Sequence, residues 1–267
     1  MSQSNSHLED VRRFYDHWSP QFLAGFGSTF QAGFLKASED APEDPETSTR
    51  LMAERAGIRT GHHVLDAGCG VGGPAITVAC SIPGVVVRGV TVSRVQAVIG
   101  RSLIAEAGMD EQVSILQADY HHLPFATDTF DAAVMFESIG YSPDRPRLLG
   151  EVVRVVRPGG RLYIKDVFAQ AGPLTEGQSR DLRAFDQLWH LAGSPKVPEV
   201  QAALIGAGCE IVASGPMDNV GNARFLRAMV DFDPVTIFRV TELGRAFGMK
   251  AENLPVFFGE VIATVRD

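Results

Sequence analysis

From His62 onward, short apolar runs rich in β-branched residues alternate with stretches whose apolar positions recur every three to four residues. The runs "HVLDAG", "VVVRGVTV", "VSILQAD", "FDAAVMFE", "RLYIKDVF", "CEIVASG" and "EVIATVRD" predict seven strands. Between them "GGPAITVACSI", "RVQAVIGRSLIAEAG" and "RPRLLGEVVRVVR" predict helices, the last stopped by Pro158-Gly159-Gly160. Such alternation predicts a mostly parallel sheet with helices on both faces. Three segments fall outside the rhythm: residues 1–60, 169–197 and 218–256. We read the first as N-terminal cap helices and the other two as cap insertions in one core domain, residues 61–267. In the first segment Phe14, Trp18, Phe22, Phe26, Phe30 and Phe34 recur at every fourth position, which keeps them near one helical face. Pro20, Gly25, Gly27 and Gly33 speak against one uninterrupted helix there. The stripe is either a cap packed on the core or a lid over a substrate.

A chain of 267 residues with 45% hydrophobic positions can bury a full core. Its 24 Lys and Arg against 32 Asp and Glu give a net charge of −8 without a basic run, which excludes a nucleic acid or an anionic membrane surface as partner. The expected ligand is a small molecule, and a homodimer stays open. Cys69, Cys80 and Cys209 are odd in number and form no CxxC pair, so neither a zinc site nor a disulfide framework is expected, and a reducing cytoplasm fits. The N-terminal "MSQSNSHLEDVRR" has no apolar core, and no apolar run reaches the roughly 18–20 residues of a membrane span.

Candidate chemistry begins at "VLDAGCGVGGPA", where Gly68, Gly70 and Gly73 follow a predicted strand and open a predicted helix. Glycines there let the backbone turn and approach a ligand, beside the free N–H groups of a helix N-terminus. A dinucleotide site would place an acid about 20 residues on to hold the ribose. The chain instead reads Arg88-Gly89-Val90-Thr91-Val92-Ser93, which leaves an NADP reductase, with Arg88 on the 2′-phosphate, as one alternative. Asp66, two residues before the first glycine, suits an ammonium group. In "LQADYHHLPF", Asp119 and Tyr120 end the third predicted strand, where the acid could accept from an adenine amino group.

The region from about His62 to Phe168 resembles the class I S-adenosylmethionine (SAM)-dependent methyltransferases. The resemblance is carried by "VLDAGCGVGG", "LQADYHHLPFATDTFDAAVMFES" and "VVRPGGRLYI". It implies a Rossmann-like fold with a seven-stranded sheet, here with an aromatic-rich helical cap, and SAM as cofactor. Together with "GVTVSRVQ", the glycine loop is similar to the branch of sterol and prenyl-diphosphate C-methyltransferases and cyclopropane-forming enzymes, which places Thr91 and Gln96 near the ribose. Asp66, Gly68 and Gly70 would then hold the methionine end.

In "AAVMFESIGYSPD" an apolar run meets Glu137 with Phe136 and Tyr141 on either side. O- or N-methylation calls for a base near neutrality, for which His121 and His122 are candidates. Methylation of an alkene needs no prior deprotonation, but it passes through a carbocation that aromatic faces and a carboxylate stabilise. "ES" followed by an aromatic resembles the geranyl-diphosphate C-methyltransferases and implies that Glu137 is the general base. Phe136, Tyr141, Phe185, Trp189, Phe22 and Phe26 are candidate walls of the substrate cavity. His190 and the cap arginines Arg183, Arg224, Arg227, Arg239 and Arg245 are candidate partners of a diphosphate, with Mg2+ as its companion. The histidine cluster and Tyr-Gly of those enzymes are missing from "FGSTFQAGFLKAS", so isopentenyl, geranyl and farnesyl diphosphates and a non-phosphorylated terpenoid all stay open. The expected activity is C-methylation of an isoprenoid. The alternatives are an O- or N-methyltransferase of a small secondary metabolite and a SAM-binding regulatory protein without turnover.

Overall fold

The chain begins with α1 (Gln3–Phe26), a two-residue strand β1 (Phe34–Leu35) and α2 (Pro45–Arg55). This is seen in a computed structural model that describes residues 3–222 and 254–267. The alternating core follows as β2 (His63–Ala67), α3 (Gly73–Ser81), β3 (Val86–Thr91), α4 (Arg94–Glu106), β4 (Val113–Gln117), β5 (Phe130–Phe136), α5 (Arg145–Val155) and β6 (Val156–Ala169). Next come α6 (Glu176–Leu188), α7 (Val197–Gly206), β7 (Cys209–Pro216), a short β8 (Val220–Gly221) and β9 (Val256–Val265).

Seven strands form one sheet in the order β4-β3-β2-β5-β6-β9-β7. The first five are parallel, and β9 runs antiparallel between β6 and β7. These are the seven runs that the alternation predicts. Strands buried on both faces need apolar residues at every position. In β5, Ala133 and Met135 pack with Leu148, Leu149 and Val152 of α5. Ala132, Val134 and Phe136 pack on the other face with Met52 of α2 and Val78 of α3. Leu148 and Leu149 are wholly buried, and truncating either to alanine would cost about 2–5 kcal/mol.

β2 lies between β3 and β5, so the chain winds away from it in both directions. Ligands of such sheets bind outside the carboxyl ends of the strands at that reversal. Those ends carry Asp66 and Glu137.

Two elements differ from the prediction. α5 stops at Val155, before the Pro-Gly-Gly signal, because Val156 already pairs with Phe130 in the sheet. The residue ahead of Pro158 is moreover disfavoured in helical conformation. Conversely, α1 runs through Pro20 and ends where Gly27, at φ +79°, donates its N–H to the Leu23 carbonyl. The loss of one hydrogen bond at Pro20 is outweighed by aromatic packing: Phe22 stacks on Phe30 with centroids 4.4 Å apart and meets Phe26 and Trp18. Asp16 fastens α1 to the core, accepting from Ser93 Oγ (2.6 Å) and from the Val95 N–H at the start of α4. A second tie is the β1–β8 ribbon, in which Phe34 pairs with Gly221. Among the described residues no helix is long and apolar enough to cross a membrane.

Candidate active site

β2 delivers Asp66 to the sheet's carboxyl edge, and the chain then turns through Gly68 (φ +91°), Gly70 (φ +57°) and Gly72 (φ +84°) into α3. At Gly68 a Cβ would stand 2.4 Å from the Ser138 Cβ, so the position excludes any side chain as well as favouring glycine's left-handed backbone. Ser138 closes the contact by donating to the Ala67 carbonyl at 2.6 Å. Asp66, Gly68, Gly70 and Ser138 line a cavity with Thr91, Gln96, Ala118 and Tyr120, and Tyr15, Ser19, Phe22 and Gln31 cover it from the N-terminal segment. Thr91 Oγ1 donates to Gln96 Oε1 at 2.6 Å, which fixes the Gln96 amide.

Asp66 is 2% exposed and its Oδ2 has no hydrogen-bond partner. Burial pushes its carboxyl up to about 7. A buried, orphaned carboxylate oxygen beside a glycine turn fits an ammonium group, and SAM carries one at its methionine end. The residues present therefore fit that cofactor. Asp66, Gly68, Gly70, Thr91, Gln96 and Tyr120 line this one cavity. Asp119 does not join them: its Oδ1 accepts from the His121 N–H (2.9 Å) and faces His121 Nδ1 (2.7 Å), and the residue lies outside the cavity wall. His121 is buried, with its other ring nitrogen 2.8 Å from Ser142 Oγ, so it fixes a loop; His122 is exposed against Arg147.

A second cavity, about 420 Å3, adjoins the first, and Tyr15, Phe30, Glu137 and Tyr141 line both. Its remaining wall includes Phe185, Trp189, Phe257, Phe258, Asn222 and Asp166. Phe185, Trp189 and Tyr141, named above as candidates for a substrate wall, line this second cavity. Phe136 and Phe22 face the first cavity instead, and Phe26 packs behind it in the aromatic cluster. His190 packs at a tilt against Phe14, with ring centroids 4.6 Å apart, and reaches neither cavity. Arg183 is exposed on α6. Arg224, Arg227, Arg239 and Arg245 lie outside the described residues. No Lys or Arg lines the second cavity among the described residues.

Glu137, just past β5, has a left-handed backbone (φ +53°) that non-glycine residues adopt rarely. Its Oε2 accepts from the Ala32 N–H (2.7 Å) and its Oε1 from the Gly33 N–H (3.3 Å) and from Lys165 Nζ. The Lys165 side chain is wholly buried, and its three donors meet Glu137, the Gly33 carbonyl (2.7 Å) and Gln31 Oε1 (3.3 Å). The acid that looks misplaced in sequence is therefore the counter-ion of a buried lysine, and both grip residues 31–33. Next to Lys165, Asp166 is 6% exposed; burial first, then the nearby Glu137 charge, push its carboxyl up to about 7. Sequence reasoning missed Lys165, Asp166 and Gln31. The only signal was the charged pair inside the apolar run "RLYIKDVF".

Comparison with known proteins places these features. A family described as a methyltransferase domain matches residues 65–164. The methyltransferase GfsG of Streptomyces halstedii is 37% identical over 161 residues, 59% of this chain and 58% of that one, so the match spans less than two thirds of that relative's length. The O-methyltransferase resE of Aspergillus sclerotiorum is 31% identical over 208 residues, 76% of each chain. A crystal structure of geranyl diphosphate C-methyltransferase from Streptomyces coelicolor A3(2), bound to Mg2+, geranyl diphosphate and S-adenosyl-L-homocysteine, shares the fold. Its TM-score is 0.74, with 17% identity over 99% of both chains. On the breadth of the resE match and the fold that carries it, the chain belongs to the class I SAM-dependent methyltransferase family.

Proposed function

We propose that the protein methylates an alkene carbon of an isoprenoid, using SAM held at the glycine loop. The observation that carries this reading is the second cavity. Its wall is aromatic on several sides, holds the carboxylates of Glu137 and Asp166, and has no basic side chain among the described residues. Aromatic faces and preorganised anions in a dry site favour positive charge, and a carbocation is the intermediate of alkene methylation. When bound, SAM supplies an electrophilic methyl group on a cationic sulfur. Asp66 would hold the ammonium of the methionine end, Gly68 and Gly70 would let it approach the backbone, and Thr91 and Gln96 would meet the ribose. Tyr15, Phe30 and Tyr141, common to both cavities, would exclude water from the transfer and face the cation. A carboxylate of the wall takes the proton, Glu137 being the one that the resemblance to geranyl-diphosphate enzymes implies. Support at the level of fold comes from the geranyl diphosphate C-methyltransferase structure.

A diphosphate would have to find its cations outside the described lining, at Arg224 or its neighbours or through Mg2+. The test therefore pairs charged and neutral acceptors. Wild-type protein with SAM is incubated with isopentenyl, geranyl and farnesyl diphosphates and with the matching alcohols, each with and without Mg2+. Products are read by mass and by NMR for the position of the methyl group. A new carbon–methyl bond is the expected outcome, and turnover confined to phenols or amines sinks the proposal. O-methylation of an apolar alcohol is the second reading, favoured by Asp166, whose raised carboxyl suits a base near neutrality, and by the resE match. An oxygen–methyl product would select it.

A further inference from the structure

We propose that Asp166 takes the proton released during methyl transfer, and that Glu137 serves as a positioning residue which, as the counter-ion of Lys165, holds residues 15–33 as a lid over the two cavities. The assignment rests on the reading of the second cavity as the acceptor site, and it applies to a carbon or an oxygen acceptor alike.

Glu137 is poorly placed to gain a proton. Its two oxygens already accept from two backbone N–H groups and an ammonium. Protonating it would strip Lys165 of its counter-ion while that side chain has 0% exposure, leaving the ammonium, among the described residues, to the neutral Gly33 carbonyl, Gln31 Oε1 and the face of Phe258. Breaking one half of a buried pair is far costlier than the pair is worth. The same bonds give Glu137 a different task. Among the described residues, every donor and acceptor that meets the Glu137–Lys165 pair from outside the sheet comes from residues 31–33, the segment that carries the lid from α1 to β1. The left-handed backbone at Glu137 is the kind of local strain that persists where several contacts over-determine a position.

Asp166 stands in the opposite situation. It lines the second cavity, and among the described residues each oxygen accepts one backbone N–H, Oδ2 from Ile139 (3.1 Å) and Oδ1 from Val167 (2.7 Å). A carboxylate oxygen has two lone pairs, so both retain one. Among the described residues, the ionisable groups around it are Glu137 at the end of β5, Lys165 on its own strand, Tyr15 from α1, Tyr120 and Tyr141. Glu137 opposes a second negative charge and Lys165 favours it. Burial holds all three phenols far above their ordinary range, so none titrates near neutrality.

For an alkene, the π electrons form the new carbon–carbon bond to the methyl group while the old sulfur–methyl electron pair stays on sulfur. The electron pair of a C–H bond beside the cation then closes the new double bond, and its proton passes to Asp166. For an alcohol, an oxygen lone pair forms the bond to the methyl group, the sulfur–methyl electron pair again stays on sulfur, and the O–H proton passes to Asp166, its bonding pair remaining on the oxygen. In both cases Asp166 afterwards returns the proton to water.

The test compares wild type with Asp166→Asn, Asp166→Glu and Glu137→Gln. SAM affinity by calorimetry serves also as the check of folding. Asp166→Asn is expected to bind SAM within about threefold of wild type and to lose turnover by about a hundredfold or more, the scale of one proton-transfer group. It should also lose the acidic limb of the kcat profile, and Asp166→Glu should restore part of the rate. Glu137→Gln should weaken SAM binding about tenfold, the order of one buried charge-assisted contact, and speed trypsin cleavage at Arg12, Arg13 and Lys36 while keeping the acidic limb. Independently of turnover, infrared titration of 13C-aspartate-labelled protein, wild type minus Asp166→Asn, should show a carboxyl band with a midpoint near neutrality. Full activity of Asp166→Asn, a midpoint in the ordinary carboxylate range, or loss of the acidic limb in Glu137→Gln with lid protection intact would each overturn the assignment. If wild type methylates no isoprenoid, the acceptor reading falls, while the infrared and protease arms still decide between the two acids.

Discussion

Gly68 meets two separate demands, a backbone φ of +91° and a space closed at 2.4 Å by the Ser138 Cβ. Gly68→Ala should cost about 1–3 kcal/mol through the backbone alone, with a further steric loss that Ser138→Gly removes. Thermal melts of the single and double variants would separate the two parts, and equal melting of Gly68→Ala with and without Ser138→Gly would show that the contact carries no strain. Asp66 yields a pH prediction. Its folded carboxyl lies near 7, above the ordinary aspartate value of about 3.9, so between those pH values the folded state holds a proton that the unfolded chain has released. Its contribution is therefore present below about pH 4 and is lost as pH rises through about 7, by at most about 1.4 kcal/mol per pH unit. Without SAM, Asp66→Asn should gain Tm relative to wild type between pH 5 and pH 7; parallel curves would contradict the orphaned carboxylate. At this scale sequence spacing reaches only so far. Asp66, Gly68, Gly70, Thr91 and Gln96 were legible because a turn between strand and helix restricts both residue type and distance along the chain. Lys165 was not, because its partners Gln31 and Gly33 lie more than 130 positions away. Asp119 was legible as an acid at a strand end, but not its turn toward His121, which depends on a contact to Ser142.

At the scale of elements, the strands were readable because each is a short β-branched run bounded by turn residues. β1 and β8, two residues each, carry too little pattern to be seen and exist only because they pair with each other. α1 shows local propensity overruled: Pro20 lies inside the helix, yet the aromatic stripe that it interrupts still packs as one cluster with Trp189. The hold of α1 on the core depends on Asp16, which supplements Ser93 in capping α4. Loss of such a cap typically costs about 1 kcal/mol. Asp16→Ala should therefore raise KM for SAM about fivefold with little change in kcat, and hydrogen exchange should quicken in α1 and in the first turn of α4. A fall in kcat at unchanged KM would mean that Asp16 acts on the chemistry rather than on the lid.

For the whole molecule, the sheet and its two core clusters are built without α1, whose aromatic residues form a cluster of their own. A chain lacking residues 1–27 should still unfold cooperatively, at a lower Tm, but lose SAM binding by about two orders of magnitude, since Tyr15, Ser19 and Phe22 leave the cavity wall. Calorimetry on the shortened chain checks this, and retained affinity would make the N-terminal segment a cap without a role in binding the cofactor. The fold class follows from the alternation of strands and helices, whereas the meeting of the two cavities arises from the N-terminal segment folding back over the sheet. Phe30 and Tyr15 wall both compartments, and the same stretch of chain passes through the Glu137–Lys165 grip into the β1–β8 ribbon. Lifting that stretch opens the two compartments together. With SAM in the first compartment and the acceptor in the second, as proposed, that one movement would uncover both, and the spent cofactor and the methylated product would leave on one clock.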